Sequence, residues 1–192
     1  MTTSTAPLPV TTPTTFEQQL LTASLLVAPV TYLAADTTYA ARGWEDPTAG
    51  VLHVIASIVY GLVFLCVAGW LVPAAKLRAA LVVAGLVGMA GSVAYGFDTI
   101  HTSLGDTQLV DQPGAANLIK PLGLFFPLAI ALVAMALVRL GARWQGALVL
   151  VAAVAWPVGH IGNIAPVCVA VNVALVLGLG TLLWQPTTAE RG

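Results

Sequence analysis

The sequence has very little charge. Asp, Glu, Lys and Arg make up 8% of its 192 residues, whereas 58% are hydrophobic. A soluble domain carries about 25% charged residues, so this chain lacks the polar side chains needed to cover a water-facing surface. The composition argues against a soluble enzyme or a disordered protein. It also argues against nucleic-acid binding, because the formal net charge is −1 and the seven Lys and Arg are spread along the chain. It predicts a polytopic membrane protein.

Cysteine and catalytic motifs are also scarce. The two cysteines, Cys66 and Cys168, lie in apolar segments that we expect to place them near opposite faces of the bilayer, roughly 20 Å apart. We therefore expect two buried apolar side chains and no disulfide. The sequence contains no Gly-rich phosphate loop, no GxSxG, no CxxC, and no HExxH or HxxxH motif. No cofactor is required by the sequence, and no standard catalytic motif identifies an enzyme.

The sequence does contain six long apolar segments. Each is near the twenty residues that cross about 30 Å of hydrocarbon as a helix. They cover residues 16–37, 49–72, 77–101, 115–140, 144–161 and 164–184. We therefore predict an all-α, six-helix transmembrane bundle over residues 16–185. Residues 1–15, which are rich in Thr and Pro, are predicted to be a disordered tail, and residues 186–192 a short cytoplasmic tail.

The distribution of charge predicts the orientation of the bundle. Five of the seven cations fall on the side of the chain termini; they are Lys76, Arg78, Arg139, Arg143 and Arg191. Arg42 and Lys120 fall on the other side, together with six of the eight acids. Because cations accumulate in cytoplasmic loops, we expect both termini to be cytoplasmic and the protein to lie in the plasma (inner) membrane.

Small residues form a ridge on the third segment. Ala84, Gly88, Ser92 and Gly96 recur every four residues and so lie on one helix face. Such a face lets a second helix approach closely. We expect a packing seam that places the third helix centrally in the bundle. The alternative is an interface with a second copy of the chain or with another membrane subunit.

Polar residues collect at one end of the predicted bundle. They lie where the helices meet the side opposite the termini, within the outer leaflet or its interface. They are Asp36, His53, Asp98, His101, Asn117, Lys120, His160 and Asn163. Three pairs among them are spaced i and i+3 and so share a helix face. A charge at depth in the bilayer costs several kcal/mol unless it has a partner, so we expect these residues to line one ligand-binding pocket.

The residue types allow several chemistries in that pocket. Asp98 next to His101 is suited to acid–base catalysis near neutral pH. His53, His101 and His160 are candidate zinc ligands, with Asp98 as a ligand or its support. His53 and His160 on separate helices are also candidate axial ligands of haem. Lys120 is a candidate partner of Asp98 or Asp36, or of an anionic substrate.

These observations leave three functional hypotheses open. The first is a protein that binds or translocates a small polar or amphiphilic ligand through the outer polar pocket. The second is an intramembrane enzyme that uses Asp98 and His101 on a lipid-soluble substrate. The third is a structural or accessory membrane subunit without a ligand, whose polar residues only terminate helices.

Overall fold

The structure, a computed structural model, describes residues 15–184, and these residues form helices joined by turns. The predicted tails, residues 1–15 and 186–192, lie outside the described residues apart from Thr15. The six long helices are α1 Phe16–Arg42, α2 Pro47–Trp70, α3 Ala75–Ser103, α4 Ile119–Arg139, α5 Arg143–Ile161 and α6 Ala165–Gly180. Short 3₁₀ helices cover Leu109–Asp111, Gly114–Leu118 and Thr181–Trp184.

The prediction of six membrane-spanning helices is confirmed by length and apolarity. The six candidate spans contain 19 to 29 residues each, when the 3₁₀ turns contiguous with α4 and α6 are included. Large apolar side chains point outwards, among them Val83, Val151 and Val154, each at least 60% exposed. An apolar exterior of this kind is stable against lipid and not against water. The molecule therefore has the features of a multi-pass membrane protein.

Helix α1 extends further than its apolar pattern predicts, to Arg42 instead of residue 37. The hydroxyls of Thr37 and Thr38 donate hydrogen bonds of 2.7 Å to the carbonyls of Leu33 and Ala34, one turn earlier. The hydrogen-bonding groups of these threonines are thereby satisfied by the backbone of their own helix, so the helix continues past the point where the hydrophobic side chains end. Gly43 then ends it with a φ of 101°, a conformation that glycine adopts without strain.

The six helices form a closed ring in which each helix packs antiparallel against the next, and α6 returns to α1. The short connections α1–α2 and α5–α6 and the long connection α3–α4 lie at one end, which we call the loop end. The described chain termini lie at the other, the terminal end. Helix α3 was expected at the centre of the bundle, but it occupies an ordinary position in the ring, between α2 and α4.

The small-residue ridge of α3 packs inside this chain. A Cβ atom added to Gly88 would lie 2.5 Å from the backbone nitrogen of Phe126 on α4, and one added to Gly96 would lie 3.0 Å from the carbonyl oxygen of Gly50 on α2. All four ridge residues, Ala84 and Ser92 included, are buried. The absence of side chains here lets α3 contact the backbones of both neighbours.

Aromatic side chains from four helices fill the centre of the ring. The centroid of the Phe126 side-chain ring on α4 lies 5.6 Å from that of Tyr32 on α1, 5.1 Å from that of Tyr60 on α2 and 5.7 Å from that of Trp156 on α5. These contacts cross the middle of the bundle and close it with large, well-packed side chains. The polar residues predicted to form a pocket therefore lie between this aromatic layer and the loop end.

Candidate functional site

The eight residues predicted to line a pocket all lie near the loop end, but they differ in exposure. Asp36, His53, Asp98 and His160 are buried, each at most 7% exposed. Asn117 is half-buried, and the side chains of His101, Lys120 and Asn163 are exposed. The structure joins some of them in two adjacent polar groups and leaves the others with separate local partners.

The first group contains Asp36, His160, Cys168 and Asn172, and we call it the Asp36 cluster. Nδ2 of Asn172 donates a hydrogen bond of 2.6 Å to Oδ2 of Asp36. Nε2 of His160 lies 3.2 Å from the same carboxylate oxygen, and Sγ of Cys168 lies 3.6 Å from Nδ1 of His160. All four residues are buried, so helices α1, α5 and α6 meet at a polar centre in the interior of the bundle.

The second group is a chain of hydrogen bonds that ends at His53. The hydroxyl of Ser57 donates to the carbonyl of His53, 2.7 Å away, and its oxygen lies 2.8 Å from Oγ of Ser92. Either hydroxyl can be the donor in the contact between Ser57 and Ser92. Nε2 of His53 lies 3.0 Å from Oγ of Ser92 and 3.1 Å from the hydroxyl oxygen of Tyr32. A neutral His53 that donates from Nε2 to these hydroxyls has Nδ1 as a bare acceptor.

A cavity of about 340 Å³ lies beside both groups, between α2, α3, α4 and α5. It runs from exposed residues at the loop end, including Lys120 and Asn163, to buried His53 and His160. The lining residues are His53, Ser92, Tyr95, Gln108, Val110, Ile119, Lys120, Gly123, Leu124, Trp156, His160, Ile161 and Asn163. Four of the eight residues predicted from sequence thus share one cavity, and it is of a size that holds a small molecule.

Three ring nitrogens of cavity-lining residues are buried and have no hydrogen-bond partner among residues 15–184. They are Nε2 of His160, which lies beside Asp36, Nδ1 of His53 and Nε1 of Trp156. A buried polar atom without a partner costs about 1–3 kcal/mol, so each such atom in a native structure calls for an explanation, such as a bound molecule or ion. With the proton of His53 on Nε2, its Nδ1 accepts a hydrogen bond, whereas Nε1 of Trp156 donates one.

Asp98 and His101 are not brought together, and neither lines this cavity. Both carboxylate oxygens of Asp98 accept from the backbone N–H of Leu109, at 3.0 and 3.1 Å. Nδ1 of His101 lies 3.0 Å from Oδ2 of Asp106, and both side chains are more than 60% exposed. Asp98 thus holds the α3–α4 connection against the end of α3, while His101 is directed away from the bundle interior.

Asn117 also has a local role. Its Nδ2 donates a hydrogen bond of 2.9 Å to the carbonyl of Gln112 in the α3–α4 connection. The pair stabilises the turn that leads into α4, and Asn117 does not line the cavity.

The sequence-derived metal set of His53, His101 and His160 does not converge, because His101 faces Asp106 at the surface. Among the described residues, a different group has metal-ligand geometry: Asp36, His160 and Cys168 each offer an atom within 4.8 Å of the others. We expected Cys168 to be an ordinary apolar side chain, and its place in this cluster corrects that expectation. Its position four residues before Asn172, on one face of an otherwise apolar helix, is the signal that identifies it.

Comparison of the chain with protein-family models, with curated proteins and with solved structures found no match.

Proposed function

We propose that this protein binds a small amphiphilic ligand in the cavity at the loop end, and that the ligand carries an anionic group. The observation that supports the proposal best is that His53 and Trp156, which line one cavity from opposite helices, each have a buried ring nitrogen without a hydrogen-bond partner among the described residues. The cavity is otherwise lined mainly by apolar side chains such as Ile119, Leu124 and Ile161. A ligand that is mostly apolar but has one donor and one acceptor matches this lining.

Lys120 supports the anionic character of the ligand. It lines the cavity at its exposed end, and within the part of the chain that the structure describes no carboxylate lies within 4.0 Å of its ammonium group. It also stands near the N-terminus of α4, where the helix dipole already favours an anion. An anionic group at the mouth of the cavity would be attracted by both.

We further propose that the loop end faces the outside of the cell and that the membrane is the plasma membrane. The described cations at the terminal end, Lys76, Arg78, Arg139 and Arg143, outnumber Arg42 and Lys120 at the loop end. Cations next to membrane spans are retained on the cytoplasmic side. The ligand would then reach the cavity from outside the cell or from the outer leaflet.

The test compares amphiphiles that differ only in charge. Thermal unfolding of the purified protein in a non-ionic detergent is followed by tryptophan fluorescence with octanoate, octanol or octylamine added. The matched variants are Gly123→Leu, which fills the cavity, and Gly69→Leu, which leaves it open. A Cβ atom added at either glycine meets no atom within 4 Å, so neither substitution introduces a clash at its Cβ.

We expect octanoate to raise the unfolding midpoint of the wild type and of Gly69→Leu, and to leave Gly123→Leu unchanged. Octylamine should give a smaller shift than octanoate. Equal shifts in both variants would show that octanoate acts through the micelle or through another surface. The absence of any shift with octanoate in the wild type would contradict the proposal.

A further inference from the structure

The Asp36 cluster contains ligand atoms of three kinds that transition metals prefer. Asp36 on α1 offers a carboxylate oxygen, His160 on α5 an imidazole nitrogen and Cys168 on α6 a thiol sulfur, and these atoms lie within 4.8 Å of one another. Each residue is at most 7% exposed. A buried cluster of ionisable side chains of these types marks a candidate functional site.

His160 is oriented as a metal ligand is. Its Nδ1–H donates a hydrogen bond of 3.1 Å to the carbonyl of Trp156, one turn earlier, and its ring stacks on the Trp156 ring at 4.1 Å. A backbone acceptor for one ring nitrogen fixes the tautomer, and this is the usual support of a metal-bound histidine. The other nitrogen, Nε2, is left with a bare lone pair.

That lone pair faces another. Nε2 of His160 lies 3.2 Å from Oδ2 of Asp36, yet in residues 15–184 it makes no hydrogen bond. Two lone-pair-bearing atoms at this separation repel one another in a buried site unless a cation or a proton lies beside them.

Asp36 needs a cation for a second reason. Its Oδ2 accepts from Asn172, but its Oδ1 is buried and has no partner within the described residues. Asp36 itself is fully buried. A single hydrogen bond does not replace the hydration of a carboxylate in the interior of a membrane bundle.

We propose that Asp36, His160 and Cys168 bind a divalent transition-metal ion of the zinc class. A mixed set of oxygen, nitrogen and sulfur donors suits zinc better than it suits calcium or magnesium, which prefer oxygen ligands. On binding, the thiol of Cys168 releases its proton, so that one carboxylate and one thiolate balance the two charges of the ion. His160 also lines the cavity, so the fourth coordination position is left to water or to a molecule in the cavity.

The packing of α5 against α6 places Cys168 for this role. A Cβ atom added to Gly159 would lie 2.8 Å from Sγ of Cys168 and 3.2 Å from its backbone nitrogen. The glycine therefore allows the sulfur to lie beside the imidazole of the next residue. A larger residue at position 159 would displace Cys168 from His160.

The test uses cobalt and zinc ions on the purified, detergent-solubilised full chain after treatment with a chelator. Cobalt bound to a thiolate gives a charge-transfer band in the near ultraviolet, and zinc displaces it. The cluster variants are Cys168→Ser and Asp36→Asn. The matched controls are Cys66→Ala, which removes the other buried thiol, and His101→Ala, which removes the exposed imidazole beside Asp106.

We expect the wild type and both controls to bind one cobalt ion with the thiolate band, and zinc to abolish that band. Cys168→Ser should lose the band, and Asp36→Asn should bind more than about tenfold more weakly. If the folded wild type shows no thiolate band, the proposal is wrong, whatever the variants do. A band that persists in Cys168→Ser, or that disappears in Cys66→Ala, would assign the metal to another place and would also overturn it.

The metal proposal and the cavity proposal fail separately. Asp36 and Cys168 do not line the cavity, and Lys120 and Gly123 do not belong to the Asp36 cluster. A Gly123→Leu variant that binds cobalt normally but not octanoate would support both proposals. In the wild type, cobalt binding without octanoate binding would contradict only the cavity proposal, and octanoate binding without cobalt binding would contradict only the metal proposal.

Discussion

Asn172 on α6 donates a hydrogen bond of 2.6 Å from its Nδ2 to Oδ2 of Asp36 on α1. The two residues are 136 positions apart in the chain, and each is at most 1% exposed. They join the last helix to the first, where the ring of six helices closes. A second hydrogen bond of 3.2 Å, from Nδ2 to the carbonyl of Cys168, holds the amide in that position.

Removal of this amide should weaken the closure of the ring. In Asn172→Ala the carboxylate of Asp36 loses its only hydrogen-bond donor among the described residues, and we expect a loss of about 1–3 kcal/mol in the free energy of unfolding. The measurement is unfolding in mixed micelles of increasing SDS content, with a chelator present so that metal binding does not contribute. Thr181→Ala is the control, because its exposed hydroxyl only bonds to Leu177 on its own helix, and we expect less than about 0.5 kcal/mol. Similar losses in both variants would show that the hydrogen bond between Asn172 and Asp36 contributes no more to the free energy of unfolding than an exposed one does.

The sequence predicts the number of helices well because the apolar segments have the length that the bilayer imposes. Helix spacing also gives a similar depth for the eight residues predicted to line one pocket, of which His53, Lys120, His160 and Asn163 line the same cavity. The sequence does not predict that the side chains of Asp98 and His101 have separate partners. Sequence spacing places them on a shared helix face but does not give the direction in which the α3–α4 connection folds back. Leu109 returns to Asp98 through that connection, and only the folded chain shows it.

The membership of Cys168 and Asn172 in the polar centre was missed for a related reason. Composition treats a cysteine in an apolar run as one more hydrophobic residue. Its neighbours are set by the closure of the ring, which brings α6 against α1 and α5. The spacing of Cys168 and Asn172 puts both on one face of α6, but closure of the ring is a property of all six helices together, so this spacing does not reveal which residues that face meets.

The close approach of α3 and α4 leads to a prediction for Gly88. Its replacement by alanine places a methyl group 2.5 Å from the backbone of Phe126, and backbone cannot rotate away as a side chain can. We expect Gly88→Ala to destabilise the bundle by about 1–3 kcal/mol. Gly123→Ala on the facing helix should be neutral or stabilising by up to about 1 kcal/mol, because its Cβ meets open space. SDS-induced unfolding of both variants checks the difference, and a neutral Gly88→Ala would contradict the tight seam.

The charge at the mouth of the cavity should affect anions selectively. Lys120→Gln removes the cation from the cavity, so octanoate should bind about fivefold more weakly, a change of about 1 kcal/mol at a partly exposed site. Octanol binding should be unchanged, and Lys120→Arg should retain the preference for the anion. Lys76→Gln removes the other lysine of the chain, at the terminal end, and serves as the control. Concentration-dependent thermal shifts give the affinities. If octanoate and octanol both bound more weakly to Lys120→Gln by the same factor, the substitution would have changed the shape of the cavity and not only its charge.

The proposed orientation predicts which end reacts with reagents outside the cell. Thr107 in the α3–α4 connection and Leu140 in the α4–α5 connection are exposed, whereas the native Cys66 and Cys168 are buried. In intact cells that express the protein, a membrane-impermeant maleimide should label Thr107→Cys and should not label Leu140→Cys. Permeabilised cells should label both, and the unsubstituted chain supplies the background. The reverse pattern would place the loop end in the cytoplasm.

Replacement of Asp98 by asparagine distinguishes a structural role of this residue from a role in acid–base chemistry. Both of its oxygens accept from the N–H of Leu109, and the neighbouring residues Gln108 and Val110 line the cavity. Asp98→Asn keeps a carbonyl oxygen that can accept from Leu109, so hydrogen exchange in residues 104–113 and octanoate binding should stay close to those of the wild type. Asp98→Ala removes the acceptor, and we expect faster exchange in that connection and weaker binding. Asp106→Ala, which breaks only the exposed pair with His101, is the control and should change neither. If Asn were as harmful as Ala, the ionised carboxylate itself would be needed, and Asp98 would have a role beyond holding the α3–α4 connection.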